Sequence, residues 1–142
     1  MLDDNNFFRK KFIDYYSIDI GSIEKLLQEE TSTSEICAIS LSDYESQIVL
    51  FATPNNEVHK NSRKNSKLIS LILKNNQKIN IKEKFVGLQV NTDFKIEISK
   101  YIEWNRELLL YVIFDNHKIN LALASNKLEK LILNIESILN ND

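Results

Sequence analysis

Apolar positions change period several times along this chain, and each change marks an element. Over residues 3–16 Phe8, Phe12, Tyr15 and Tyr16 recur near helical spacing around Arg9, Lys10 and Lys11, which predicts a short amphipathic helix. Residues 17–21 interrupt it. Ser22 is placed to cap a second helix, whose Ile23, Leu26 and Leu27 form an i, i+3, i+4 stripe that fades at the loop Thr31-Ser32-Thr33-Ser34. Two strands follow. Residues 36–41 alternate, with Cys37, Ile39 and Leu41 on one face, and residues 48–52 form a continuous apolar run of the kind found in strands covered on both sides. Between them the polar stretch Ser42-Asp43-Tyr44-Glu45-Ser46 has the residues of a hairpin turn.

Pro54 ends the second strand, and Asn55-Asn56-Glu57 opens a long crossover helix running to about residue 78, with Val58, Ile69, Ile72 and Leu73 broadly on one side. The third strand is predicted over residues 84–91, where Val86, Leu88 and Val90 alternate against Phe85, Gly87 and Gln89. A turn at Asn91-Thr92-Asp93 leads to a fourth strand with Ile96, Ile98, Ile102 and Trp104 on one parity. Lys100 falls on that apolar parity, so a bulge or strand end is expected near it. Residues 108–114 are apolar on both parities, as in a central strand buried on both faces. In the last segment Asn126 and Glu129 have capping-box spacing, and Leu128, Leu131, Ile132, Ile135, Ile138 and Leu139 sustain a helical stripe.

The predicted order is α-α-β-β-α-β-β-β-α, an α/β (α+β) chain with one five-stranded, mostly antiparallel sheet. Because the last strand is apolar on both parities, helices must cover both faces of an α/β/α sandwich: the opening and C-terminal helices on one, the crossover on the other. The third strand falls at a sheet edge, and an edge carrying Phe85, Val86 and Leu88 invites pairing with another chain. If Ile69, Ile72 and Leu73 face the sheet, Leu68 and Leu71 point sideways, beyond what one sheet face needs, and form either a wide core stripe or a dimer contact. Together these features predict a homodimer whose interface contains Leu68, Leu71, Phe85, Val86 and Leu88.

Composition narrows the function. A chain of 142 residues is one domain's worth, divided into an N-terminal helical extension (1–20) and a folded domain (21–142). Its 18 basic and 20 acidic residues nearly cancel, which removes the global field that nucleic-acid binding uses. Lys60, Arg63, Lys64 and Lys67 nevertheless cluster at the polar start of the crossover. With no aromatic residue interleaved for base stacking, they are either a solvated helix start or a docking surface for an acidic partner or anionic membrane.

Two glycines exclude every glycine-rich phosphate cradle. The single Cys37 cannot form an internal disulfide and is expected to be a buried, inert small hydrophobe. No run approaches the ~20 apolar residues that span a bilayer, and the start has no secretory signature. The expected location is therefore the cytoplasm, with membrane association peripheral and through a partner. His59 and His117 are expected on the surface, and adjacent acids such as Asp3-Asp4 and Glu29-Glu30 on a solvated face. Trp104 is expected in the core, and with Tyr101 on the opposite parity at least one of these two aromatics is expected near a helix-covered or partner-covered surface. No catalytic, metal or cofactor set emerges, so the chain is not read as an enzyme.

The order helix, hairpin, long helix, three-strand meander, helix resembles the Roadblock/LC7 family over about residues 22–139. The most family-like stretch is 108–131: the strand LLLYVIF, the turn DNHK, then INLALASNKLEKL. Asn120-Leu121-Ala122 stands where the family commonly has Asn-Leu-Gly, so Ala122 departs from it, as Asp43-Tyr44 departs from the usual Asp-Gly of the first hairpin. The resemblance implies a dimer that pairs third strands and long helices, acting as a non-catalytic platform for small Ras-like GTPases or for motor and membrane-associated complexes. The aromatic helix over residues 7–16 is extra to the minimal family fold and is expected to dock on the domain or carry a partner contact.

Three alternatives are weaker. A longin-like trafficking domain begins with a strand and ends in two helices, and a secretion chaperone has three strands before its middle helix. A PAS- or GAF-type sensor needs a pocket between sheet and helix, which continuous apolar filling disfavours.

Overall fold

The structure, a computed structural model, describes residues 2–54, 58, 60–64, 67, 68, 71, 74 and 87–140. Two helices, α1 (Leu2–Tyr16) and α2 (Ile20–Thr31), precede a hairpin of β1 (Ile36–Asp43) and β2 (Val49–Thr53). The described crossover residues 58, 60–64, 67, 68, 71 and 74 are helical. A meander of β3 (Gly87–Asn91), β4 (Lys95–Glu103) and β5 (Glu107–Asp115) then leads into α3 (Leu121–Leu139). The sheet order is β2-β1-β5-β4-β3, and all four pairings are antiparallel. The expected fold class and element order stand.

β5 is central because nothing in it tolerates solvent: residues 108–114 are all buried. Its Leu108, Leu110, Val112 and Phe114 join Phe12, Ile23, Leu27, Leu128 and Ile135 in the main core. Tyr111 and Ile113 point the other way, onto Ala38 of β1 and Val58 of the crossover. Thus α1, α2 and α3 cover one face, and the crossover lies on the other. α1 docks firmly. Phe12 is buried, Ile13 and Tyr16 pack on the core, and Arg9 donates to the Leu50 carbonyl from Nε (3.1 Å) and Nη2 (2.9 Å) and to Glu24 (2.7 Å).

Several local expectations are corrected. Cys37 is exposed, not buried. A register shift between Ile36 and Ala38 leaves Cys37 as the extra residue of a bulge, so Ile36, Ile39 and Leu41 all reach the main core while Cys37 turns outward. β2 is an edge strand, not one covered on both sides; only Leu50 and Phe51 are buried. No bulge forms at Lys100: β4 keeps continuous register with β5 from Lys95 to Glu103. Lys100 pairs with Gly87, where a Cβ would lie 2.8 Å from the Ser99 carbonyl oxygen and 3.1 Å from Lys100 Cγ. The missing side chain makes room for the lysine stem.

Both later helices start earlier than their expected caps. Asp19, not Ser22, caps α2: it accepts from the Ser22 amide (3.2 Å) and from Ser22 Oγ (2.6 Å). The hydroxyl bond and then the amide bond hold its carboxyl below the usual range. α3 begins at Leu121 with Asn120 accepting from the Leu123 amide at 2.9 Å. The Leu-Ala-Leu-Ala segment has high helix propensity, and Ala124 extends the buried stripe backwards; Asn126 is left exposed inside the helix. The expected residues His59, Ile69, Ile72, Leu73, Lys84, Phe85 and Val86 lie outside the described residues.

Candidate interaction surface

The crossover presents two contrasting sides. Val58 is buried over Ala38, Tyr111 and Ile113, and Ser62, one turn on, is also buried. Lys60, Arg63, Lys64, Lys67, Leu68, Leu71 and Lys74 are exposed. Steps of four, three, four and three residues put Lys60, Lys64, Lys67, Leu71 and Lys74 on one helical stripe, with Arg63 and Leu68 beside it. Leu71 is 63% exposed. The surface thus has a basic part, Lys60, Arg63, Lys64 and Lys67, and an apolar part, Leu68 and Leu71.

At the sheet edge, β3 pairs with β4 on one side, and no further strand adjoins it among the described residues. Leu88 and Val90 are half-buried, and Gln89 is exposed. A strand with one free backbone edge can accept a strand from another chain. Leu88, Ser99, Tyr111, Ser40 and Ala52 form one cross-strand row on the crossover's side of the sheet. Within that layer Tyr111 donates to Glu97 Oε1. Burial first, and then the bond and charge of Glu97, push the phenol above its ordinary pKa. Of the expected interface residues, Leu68, Leu71 and Leu88 are described, whereas Phe85 and Val86 are not.

A polar lock at one end of the sheet escaped the sequence reading. Asp43, fully buried at the end of β1, accepts from Arg106 Nε at 3.0 Å and Nη2 at 2.7 Å, although 63 residues separate them. The Ser46 amide (2.9 Å) and Oγ (2.6 Å) also donate to Asp43 Oδ2. Burial alone would raise the Asp43 pKa. The bonds from Arg106 and Ser46, together with the guanidinium charge, outweigh it and hold the carboxyl below its usual range. The Asp43 bond likewise raises Arg106. The pair ties the first hairpin to the β4–β5 turn. Only the Asp43–Ser46 half had a sequence signal, because both residues stand in the polar stretch that marks the first hairpin turn.

Other expected positions are scattered. His117 is exposed, with its ring centroid 5.7 Å from that of Phe94. Trp104 is half-buried beside Tyr16, and Tyr101 stacks edge-on against Tyr44. Glu29 is exposed as expected, but Glu30 is half-buried with Oε2 sequestered. Among the described residues there is no group of three or more His, Cys, Asp or Glu that could hold a metal ion, and no helix long and apolar enough to cross a membrane. Two open clefts of about 510 and 490 Å³ flank α3 and share Ile119 and Leu123.

No protein-family model matches the chain, and no curated protein matches it in sequence. Among solved structures, MglB of Myxococcus xanthus is similar with a TM-score of 0.70 and 13% identity, over 87% of this chain and 91% of that one. The likeness extends through nearly the whole of both chains. The five-stranded antiparallel sheet with its flanking helices has the Roadblock-like fold seen in MglB.

Proposed function

We propose that this chain is a member of the Roadblock/LC7 family and acts as a non-catalytic homodimer, a scaffold or regulator of a small Ras-like GTPase. The observation that carries the proposal is the pairing of an exposed Lys-Leu stripe on the crossover with an edge strand, β3, in a chain of this fold. In the dimer, β3 and the Leu68–Leu71 side of the crossover meet their counterparts in a second copy, with Phe85, Val86 and Leu88 extending the contact. Lys60, Arg63, Lys64 and Lys67 form the docking surface for the GTPase, attracting acidic side chains and guiding their approach. The protein contributes surface rather than chemistry and needs no cofactor. It works in the cytoplasm and reaches multiprotein complexes or membranes through its partners.

The test uses purified small Ras-like GTPases in each nucleotide state, titrated calorimetrically with the full chain. The expected result is nucleotide-dependent binding that the variant Lys60→Glu, Arg63→Glu, Lys64→Glu, Lys67→Glu abolishes while keeping its oligomeric mass. Binding that is indifferent to the charge reversal would contradict the assigned surface. A hydrolysis assay on any complex formed separates a regulator from a passive scaffold.

A further inference from the structure

The sheet has two edges, and they are finished differently. At β3 the register with β4 runs unbroken from Gly87 to Asn91, and the strand contains no proline. β2 forms the opposite edge and is marked both near its start and just past its end. A register shift pairs Leu41 with Phe51 and Ser42 with Val49, which leaves Leu50 unmatched in β1. Pro54, which has no amide hydrogen to donate, stands directly after Thr53. Bulges and prolines are both ways of blunting an edge strand against pairing with another chain.

α1 adds a third device at the same place. Arg9 donates from both Nε (3.1 Å) and Nη2 (2.9 Å) to the carbonyl of the unmatched Leu50. Glu24 of α2 accepts from the same Nη2 at 2.7 Å, which ties the guanidinium to a second helix. Phe12, one turn further along α1, joins Leu50 and Phe51 in the main core. Apolar contact therefore seats the helix, and charge-assisted bonds hold Arg9 on the β2 backbone. From this arrangement we propose that α1 is an edge guard: it denies β2 to a strand of another copy and confines assembly through the sheet to β3. With both edges open, copies would add at either end, and such contacts extend without closing. With one edge open, two copies complete the assembly. α1 contributes no strand to the sheet, and this role accounts for the one cation it turns inward. Guarding of β2 depends on neither the GTPase nor the dimer: a monomeric natural chain would refute pairing at β3, whereas the guard is read from how α1 variants differ from the natural chain.

The test compares the full natural chain with Arg9→Ala and Glu24→Gln by sedimentation velocity over a concentration series, with amide hydrogen exchange read on the peptide that contains β2. Arg9→Ala frees the Leu50 carbonyl. Its mass should pass that of the natural chain, reach about twice it when two natural units join, and keep rising with concentration. Its β2 amides should exchange more slowly in the larger species, because a new strand covers them. Glu24→Gln removes the ion pair but leaves both Arg9 bonds to Leu50, and it should keep the natural mass. An Arg9→Ala protein with the natural mass throughout would overturn the proposal. So would larger species whose β2 amides are no slower, since the new contact would then lie elsewhere. Equal growth in Glu24→Gln would overturn it by tracing the effect to the ion pair. Loss of the circular dichroism spectrum in Arg9→Ala would do the same, because Arg9 would then hold the fold rather than guard an edge.

Discussion

Replacing Arg106 by Ala should be the most damaging single change at the surface of this domain, and its pH dependence should carry a distinctive sign. In the folded protein Arg106 supplies two charge-assisted hydrogen bonds, at 3.0 and 2.7 Å, to a carboxylate with no exposed surface. Removing it leaves Asp43 only the two Ser46 donors and an uncompensated buried charge, which costs about 3 to 5 kcal/mol. Asp43→Asn should cost less, about 1 to 3 kcal/mol. The stranded guanidinium is 27% exposed and has Glu45 at 3.5 Å, so water and a second acid compensate it. The double variant should lose less than the sum of the two, as coupled partners do.

These values are read from urea unfolding followed by circular dichroism, assuming a two-state transition. In the natural chain Asp43 is held below its unfolded pKa, so the unfolded chain binds more protons. Its contribution is present above about pH 4 and is lost as pH falls through the lower native value. In Arg106→Ala burial dominates and raises the native pKa. Acidification from neutral pH towards about 4 should then recover stability, the opposite slope. An Arg106→Ala protein within about 1 kcal/mol of the natural chain, or one with the same pH slope between neutrality and pH 4, would refute the assignment of this pair as a buried lock.

Other consequences are simpler to check. Gly87→Ala should destabilise by about 1 to 3 kcal/mol in the same unfolding assay, because its Cβ meets a backbone oxygen at 2.8 Å rather than a movable side-chain end. Asn120→Ala should cost about 1 kcal/mol through loss of the α3 cap, whereas Asn126→Ala, inside the helix, should be neutral or slightly stabilising. Cys37 in the native protein should react with a maleimide as an exposed thiol does. Labelling that waits for unfolding would contradict the bulge that turns it outward.

What the sequence revealed was whatever depends on neighbours along the chain. The unbroken apolar run 108–114 placed β5 at the centre of the sheet, and the stripe through Leu128, Leu131 and Ile135 located α3. What it concealed depends on partners across the fold. A one-residue bulge at Cys37 shifts the faces that strict alternation assigns, and the register opposite Gly87 decides whether Lys100 can stay in a strand. Asp43 and Arg106 each stand in an ordinary polar turn, and only the antiparallel packing of β1, β5 and β4 brings the two turns together. The exposure of Phe7, Phe8 and Tyr15 was hidden for a related reason. Helical spacing identified an apolar side of α1, but not which aromatics the domain would leave uncovered.

The central claim is a dimer built through the Leu68–Leu71 side of the crossover and the β3 edge, and sedimentation equilibrium of the natural chain beside Leu71→Glu tests it most directly. Because Leu71 is exposed in the single chain, glutamate there leaves the monomer's fold intact while placing a charge in the proposed interface. The natural chain should sediment at twice its formula mass and Leu71→Glu at the monomer mass, with matching circular dichroism. A natural chain that is monomeric throughout, or a Leu71→Glu protein that keeps the dimer mass, would contradict the account.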